Sequence, residues 1–151
     1  MVPEPFDQHN REIEVELGGD RYLVRDNGAV YRRLRPGRRR SRFDETWTFG
    51  RRDKVTGYMH IGSQFVHRIV AFAFLGRPPS EKHVVDHIDT NGSNNRTENL
   101  RWVTRLENVL RHPSTRKEII RAYGSLEKFF VSARETSYYF LAGRSASGSM
   151  F

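Results

Sequence analysis

Cysteine is absent from the 151-residue sequence. Disulfide bonds are therefore excluded, and so is a zinc site built from cysteine thiolates. No run of apolar residues is long enough to cross a bilayer, and the first ten residues lack the apolar core of a secretory signal. We therefore expect no membrane segment and an intracellular, cytoplasmic location.

Acidic residues are the minority among the charged ones. There are 18 Asp and Glu against 26 Lys and Arg, which gives a formal net charge of +8. Arginine binds phosphate through paired hydrogen bonds and stays charged at any accessible pH, so this composition predicts a polyanionic partner. The length suits one compact domain with, at most, a small appendage.

The N-terminal third of the chain predicts an antiparallel β ribbon. Residues 13–34 contain an Asp26-Asn27-Gly28 turn signal between apolar stretches, which indicates a hairpin. A basic segment, residues 32–42, follows, and the alternation Trp47-Thr48-Phe49 comes after it. This pattern predicts two strands joined by a basic loop. We expect the ribbon to contact DNA phosphates; the alternative is a solvated loop that only keeps the protein soluble. The candidate DNA-binding residues are Arg32, Arg33, Arg35, Arg38, Arg39, Arg40, Arg42, Arg51 and Arg52.

The middle of the chain predicts two strands followed by a helix. Residues 83–88 are apolar and β-branched enough for a strand, residues 89–95 are dense in turn formers, and a second strand follows at 100–103. Thr104 with Glu107 three residues later forms a capping-box pattern, so a helix should begin there and carry Asn108 and His112 on one face. Upstream, residues 58–61 predict a strand, and residues 65–75 predict a buried helix that ends at Gly76.

The side chains of this ββα unit indicate a nuclease. Asp86 offers a hard anionic oxygen and Asn108 a carbonyl oxygen, and both suit Mg²⁺, with phosphate and water as its other ligands. His87 is then the candidate general base, because an imidazole is largely neutral at neutral pH and can accept a proton from water. Adjacent residues of a strand point to opposite faces, so His87 should lie on the other side of the strand from Asp86.

Several pieces of the unit match a known pattern in order and spacing. They are Val66-His67-Arg68-Ile69-Val70-Ala71, Asp86-His87, Asn99-Leu100-Arg101-Trp102 and Asn108. The arrangement resembles the core of the HNH endonucleases, specifically the phage and intron-encoded branch of homing and nicking enzymes. The resemblance covers residues 57–112. A stretch upstream, residues 22–30, is similar to a short module that precedes HNH cores in homing endonucleases.

The resemblance implies metal-dependent hydrolysis of double-stranded DNA. Asp86 and Asn108 would be the metal ligands, with Mg²⁺ as the metal and Mn²⁺ able to substitute, and His87 would be the general base. The resemblance also implies a catalytic-site role for Asn99, which would pin the loop and orient His87 by hydrogen bonding.

The roles of four further residues stay open at this point. His112 is a candidate metal ligand, but it could equally bind a phosphate or cap the helix before Pro113. His67 is either a hydrogen-bonded core residue or a contact of the DNA or metal site. Arg101 or Arg105 is a candidate clamp for the scissile phosphate, so both join the DNA-binding set.

The expected fold class is α+β, with a ββα-metal core preceded by a small antiparallel β ribbon and followed by short C-terminal helices. We predict a basic β-rich DNA-contacting region at 1–56, the nuclease core at 57–113, a helical segment at 114–143 and a disordered tail at 144–151. Ser114 or Thr115 should cap the first C-terminal helix. The apolar residues 138–141 should pack in the core or form a dimer contact.

One ββα site cuts one strand, so a monomer should nick DNA, while the choice between monomer and homodimer stays open. Two other functions compete with the nuclease. A DNA-binding regulator could keep the fold without cleaving, and the arginines could bind structured RNA or an acidic membrane surface. The joint presence of Asp86, His87, Asn99 and Asn108 favours the nuclease.

Overall fold

A computed structural model describes residues 5–133 of the chain. The fold is α+β, as predicted, and the chain divides into two compact units between Arg105 and Leu106. The strands are β1 (Glu12–Leu17), β2 (Asp20–Arg25), β3 (Val30–Arg32), β4 (Trp47–Thr48), β5 (Arg51–Arg52), β6 (Met59–Ile61), β7 (Gln64–Phe65), β8 (His83–His87) and β9 (Leu100–Thr104). The helices are α1 (Val66–Leu75), α2 (Arg105–Leu110) and α3 (Pro113–Tyr123), and short 3-10 turns lie at Pro5–Asp7 and Thr97–Asn99.

Strands β1 to β4 form an antiparallel sheet in chain order. The predicted hairpin is confirmed, because β2 pairs with β3 through Val24 opposite Val30, with the Asp26-Asn27-Gly28 turn between them. Gly28 has φ +91°, the left-handed conformation that closes a three-residue hairpin loop without steric cost. Since β4 pairs with β3, the basic segment is the loop between two paired strands, as predicted.

One hydrophobic core joins this sheet to α1. Its buried members are Tyr22, Val24, Val30, Ile61, Val66, Ile69, Val70 and Leu100. The spacing of Val66, Ile69 and Val70 puts them on one face of the helix, which is why α1 packs against the sheets with that face. The predicted end of α1 at Gly76 is confirmed. The core therefore takes side chains from both sides of the predicted limit at residue 56, and the domain limits remain a prediction.

Strands β8 and β9 form the predicted two-stranded unit, with His83 opposite Thr104 at one end and His87 opposite Leu100 at the other. Helix α2 follows β9 directly, which completes the ββα order.

Helix α2 ends at Leu110, earlier than expected. His112 has an extended backbone, with φ −76° and ψ 118°, and is the N-cap residue of α3. The prediction that one helix carries Asn108 and His112 on the same face is therefore wrong. Pro113 is the physical reason, because a proline disfavours helical backbone in the residue before it and cannot donate the hydrogen bond that would continue the helix.

Helix α3 of the second unit begins at Pro113, not after a Ser114 or Thr115 cap as predicted. Proline suits the first position of a helix, where its missing N–H costs nothing. Gly124 ends α3 in the left-handed conformation, and its N–H donates to the Ile120 carbonyl at 2.8 Å.

Residues 126–133 are also helical, and the Ser125 hydroxyl accepts the N–H of Lys128 at their N-terminus at 3.1 Å. The predictions for residues 138–141 and for a disordered tail at 144–151 lie outside the described residues. Between residues 5 and 133, no helix combines the length and apolar character needed to span a membrane.

Candidate active site

His87, the last residue of β8, is buried, with 6% of its surface exposed. Its Nε2 atom lies 2.8 Å from Asn95 Oδ1. The Tyr58 ring lies nearly parallel to the imidazole, with 5.8 Å between the centroids and 23° between the planes. The His67 ring meets it edge-on at 5.2 Å. One hydrogen bond and two ring contacts thus fix the orientation of this imidazole, as a general base requires.

His67 packs beside His87 from helix α1. Its ring stacks on Phe65 at 5.3 Å and contacts Tyr58 at 5.0 Å. Burial, with smaller effects from His87 and Arg68, lowers the pKa of His67 from 6.5 to about 3, so the imidazole is neutral near pH 7. Its Nδ1 atom is buried and has no hydrogen-bond partner within residues 5–133. His67 is thus a core residue that also contacts the candidate base.

Asn99 pins the loop between β8 and β9. Its Oδ1 accepts the Asp89 N–H at 3.0 Å, and its Nδ2 donates to the Asp89 carboxylate at 2.9 Å and to the Asn94 carbonyl at 2.8 Å. Hydrogen bonds from the side chain of Asn94, the N–H of Asn91 and the side chain of Asn99 hold the pKa of Asp89 below its ordinary value.

The expected hydrogen bond from Asn99 to the His87 imidazole does not occur within the described part of the chain. Both polar atoms of the Asn99 amide are engaged by the loop itself. Asn99 thus acts on the backbone around His87, where its own carbonyl also accepts the Ile88 N–H at 2.8 Å.

Asn95 is the site residue that sequence reasoning missed. It is 5% exposed, and its side chain hydrogen-bonds His87. The Asp26-Asn27-Gly28 turn holds the loop that carries it, because the Thr97 N–H donates to the Asp26 carbonyl at 2.9 Å. In the sequence, Asn94 and Asn95 form one turn signal. Nothing in that signal distinguishes the residue that faces solvent from the one that faces the imidazole.

Asp86 has a different partner from His87. It lies opposite Arg101 in the register of β8 and β9, and the Arg101 Nε atom is 2.9 Å from its Oδ2 atom. The Asp86 side chain is 11% exposed. The separate contacts of Asp86 and His87 agree with the expectation that adjacent strand residues point to opposite faces. The anionic oxygens of Asp86 are donors of the kind that Mg²⁺ prefers, and Arg101 would have to share or yield Oδ2 to a cation there.

The other two candidate ligands belong to the second unit. Asn108 is half-buried on α2, and His112 is exposed ahead of α3. One carboxylate and one carboxamide make an oxygen donor set, which fits a hard cation better than a soft one. Residues 5–133 contain no cluster of three or more His, Cys, Asp or Glu that could hold a metal ion.

Two of the predicted DNA-binding arginines are part of the fold. Arg32 is 6% exposed, and its Nε atom lies 2.6 Å from Oδ1 of the buried Asp44. Arg38 pairs with the same carboxylate at 2.8 Å and with Asp20 at 2.7 Å. Burial alone would raise the pKa of Asp44, but the Ser41 N–H and the Arg32 guanidinium outweigh it and hold the pKa below its ordinary value. The expectation for Arg32 is corrected accordingly, since this guanidinium could reach a phosphate only by giving up its buried ion pair with Asp44.

Of the remaining predicted arginines, Arg101 is half-buried and the others are exposed. Arg33 lies 3.4 Å from Glu14, and Arg42 lies over the Phe43 ring, but both side chains stay accessible. The exposed members of the set are Arg33, Arg35, Arg39, Arg40, Arg42, Arg51, Arg52 and Arg105.

Parts of the chain are similar to known proteins. Residues 64–110 match a family model described as HNH endonuclease. Two proteins of Acanthamoeba polyphaga mimivirus, both described as uncharacterized HNH endonucleases, are 49% identical over 45 residues and 39% identical over 54 residues. These stretches make up 29% and 36% of this chain and 11% and 16% of the mimivirus proteins.

A solved structure is also similar. Its title is "DNA binding and cleavage by the HNH homing endonuclease I-HmuI", and it shares 31% sequence identity with this chain. The match covers 66% of this chain and 60% of that one, with a TM-score of 0.43. The chain thus spans less than two thirds of each of these relatives.

Proposed function

We infer that the chain belongs to the HNH endonuclease family through residues 64–110, and from this premise we propose that it hydrolyses DNA phosphodiester bonds with the help of a divalent metal ion. The observation that carries the proposal is the buried imidazole of His87. It is oriented by a hydrogen bond and two ring contacts, and it follows Asp86 directly on the same strand. A carboxylate and an imidazole on opposite faces of one strand suit metal binding and proton transfer as separate tasks.

His87 acts as the general base. It takes a proton from a water molecule while the water oxygen attacks the phosphorus, and the bond from phosphorus to the leaving sugar oxygen breaks. That oxygen takes up a proton from solvent. Contact with Tyr58 and His67 keeps the imidazole in one orientation during the transfer, which lowers the entropic cost of reaching the transition state.

Asp86 and Asn108 would supply oxygen ligands to the divalent ion, and His112 is a further candidate ligand. Mg²⁺ is the expected metal, because oxygen donors on a chain without cysteine favour a hard cation; Mn²⁺ should substitute. When bound, the metal would stabilise the negative charge that develops on the phosphate. Arg101, which pairs with Asp86, would exchange that carboxylate for a phosphate oxygen.

Double-stranded DNA is the proposed substrate. The net charge of +8 and the exposed arginines of residues 33–52 support it, because each neutralised phosphate releases counterions. A single ββα site would cut one strand, so we propose that a monomer nicks. A homing role is proposed from family likeness alone.

Plasmid relaxation tests the proposal. Purified full-length protein is incubated with supercoiled plasmid in Mg²⁺, Mn²⁺ or EDTA, and open-circle and linear products are counted separately. We expect open circles with either metal and none in EDTA. His87→Ala should abolish cleavage. His83→Ala, on the same strand but hydrogen-bonded to Ser80, is the matched control and should cut at the wild-type rate.

Asp86→Ala separates catalysis from binding. We expect metal-supported cleavage to disappear while most of the affinity for DNA at low salt is kept, since the arginines are untouched. Direct linear product from the wild type would contradict the nicking monomer. Inactivity in every metal, with salt-sensitive DNA binding retained, would replace the nuclease by a DNA-binding protein that does not cleave.

A further inference from the structure

The hydrogen bond between His87 and Asn95 decides which imidazole nitrogen can act as a base. A neutral imidazole carries one proton, so if Nε2 holds it and donates to Asn95 Oδ1, Nδ1 is left as the acceptor. The two atoms are 2.8 Å apart, and both residues are buried, so water competes little for this bond. We propose that Asn95 is a positioning residue that fixes the Nε2–H tautomer of His87, and that the Asp26-Asn27-Gly28 turn keeps Asn95 in place.

Asn95 contributes little to the fold through its polar atoms. The Nδ2 atom of its amide is buried and has no hydrogen-bond partner within residues 5–133. A buried polar atom without a partner lowers stability, so an apolar side chain would serve packing better. The remaining polar contact of the side chain is the one to His87, which assigns the residue to the site.

The Asp26-Asn27-Gly28 turn is itself rigid. The Asn27 amide donates to the carbonyls of Phe6 at 3.2 Å and Gln8 at 3.1 Å, and its Oδ1 accepts the Ala29 N–H at 3.0 Å. Asn27 is 7% exposed, so these bonds are shielded from water. The turn therefore offers a fixed surface to whatever packs on it.

Gly28 brings the turn into direct contact with the Asn95 backbone. A Cβ atom at position 28 would lie 2.8 Å from the Asn95 carbonyl oxygen and 2.9 Å from its carbon, closer than such atoms approach. Glycine is thus required here for two reasons, the φ of +91° and the close approach. The hydrogen bond from Thr97 N–H to the Asp26 carbonyl ties the same loop to the same turn. The N-terminal sheet therefore acts on catalysis through the position of Asn95.

The tautomer can be measured without substrate, which keeps the test independent of cleavage. The inference rests on the proposed function only where activity is the readout. In the full-length chain with ¹⁵N-labelled histidine, long-range ¹H–¹⁵N correlation spectra distinguish Nε2–H from Nδ1–H. The His87 signals are assigned by their loss in His87→Gln. We expect protonated Nε2 and unprotonated Nδ1 in the wild type, and a protonated Nδ1 there would overturn the proposal.

Two variants of nearly the same shape separate the hydrogen bond from packing. Asn95→Leu removes the acceptor and should give a mixture of His87 tautomers, with kcat lowered about 10- to 100-fold and KM for DNA unchanged. Asn95→Asp keeps an acceptor oxygen and should retain the Nε2–H tautomer and most of kcat. Asn10→Ala, at an exposed asparagine that enters this region through its backbone N–H, is the control and should change neither readout.

Gly28→Ala tests the role of the turn. The added methyl group must displace the Asn95 backbone, so we expect the same mixture of tautomers and a lower kcat. Gly124→Ala imposes the same kind of backbone strain, at φ +83°, without a close contact, and should leave the His87 spectrum unchanged.

Two outcomes with the Asn95→Leu variant also overturn the proposal. One is a His87 tautomer that does not respond to Asn95→Leu, and the other is a wild-type kcat in that variant. If the wild type cleaves no DNA, the proposed function fails, while the spectra still decide whether Asn95 fixes the imidazole.

Discussion

The buried imidazole of His67 should make the folded chain sensitive to acid. Its pKa is about 3 in the folded protein, against an ordinary value of 6.5, because burial disfavours the charged form. Below pH 6.5 the unfolded chain takes up a proton at this residue and the folded chain does not. The stability contribution is therefore fully present above pH 6.5 and is lost progressively as the pH falls toward about 3.

The size of the effect follows from the two pKa values. Lowering the pH from about 7 to about 4.5 should cost about 2.5 kcal/mol of unfolding free energy through this one group. His67→Phe removes the titrating nitrogen atoms but keeps an aromatic ring against Phe65 and Tyr58. It also removes the unpartnered Nδ1, so we expect stability at neutral pH to be equal to that of the wild type or higher.

Urea unfolding at the two pH values, followed by circular dichroism, measures the effect. The loss of stability on acidification should be smaller in His67→Phe than in the wild type by about 2.5 kcal/mol. Carboxylates with lowered pKa, such as Asp44 and Asp89, also reduce the stability of the folded chain in acid, but they do so equally in the wild type and in His67→Phe. Val70→Ala is the control, since it should lower stability by the same amount at both pH values. An identical acid loss in His67→Phe and the wild type would refute a neutral, buried His67.

Three other results are expected. Arg32→Met should lower the free energy of unfolding by about 3 kcal/mol, which is the low end for a broken buried pair because Arg38 still contacts Asp44. Chemical denaturation measures this change. A loss of only about 0.5 kcal/mol, as expected for an exposed residue, would contradict the ion pair. Replacing Arg39, Arg40 and Arg42 together with alanine should reduce the slope of log K against log salt by up to about 3, near 0.9 per phosphate contact, and an unchanged slope would remove this loop from the DNA surface. Asn99→Ala removes the hydrogen bonds that hold the loop at Asp89 and Asn94, so it should slow plasmid nicking by about tenfold or more without weakening DNA binding. A wild-type nicking rate would show that Asn99 is a loop residue only.

Much of the fold could be predicted because its signals are local. The Asp26-Asn27-Gly28 turn, the periodic helix that ends at Gly76 and the two strands around residues 89–95 follow from turn chemistry and side-chain period within a few residues. The end of α2 was predicted incorrectly. The spacing of Asn108 and His112 is typical of one continuous helix, but Pro113 disfavours helical backbone in the residue before it and ends that helix early.

The sequence by itself determined the chemistry available to this protein: a basic chain without cysteine, an Asp-His pair on a strand, and asparagines at the spacing of an HNH core. Only the tertiary structure decided which side chains meet. It placed Asn95 instead of Asn99 on His87, put His67 beside the same imidazole, and committed Arg32 to Asp44. The physical reason is that each contact joins separate elements of the fold, through loops and packing that residue spacing does not encode. Charge and residue type identify which residues are candidates for the site, but burial and the fixed turn at Gly28 determine which of them contact His87.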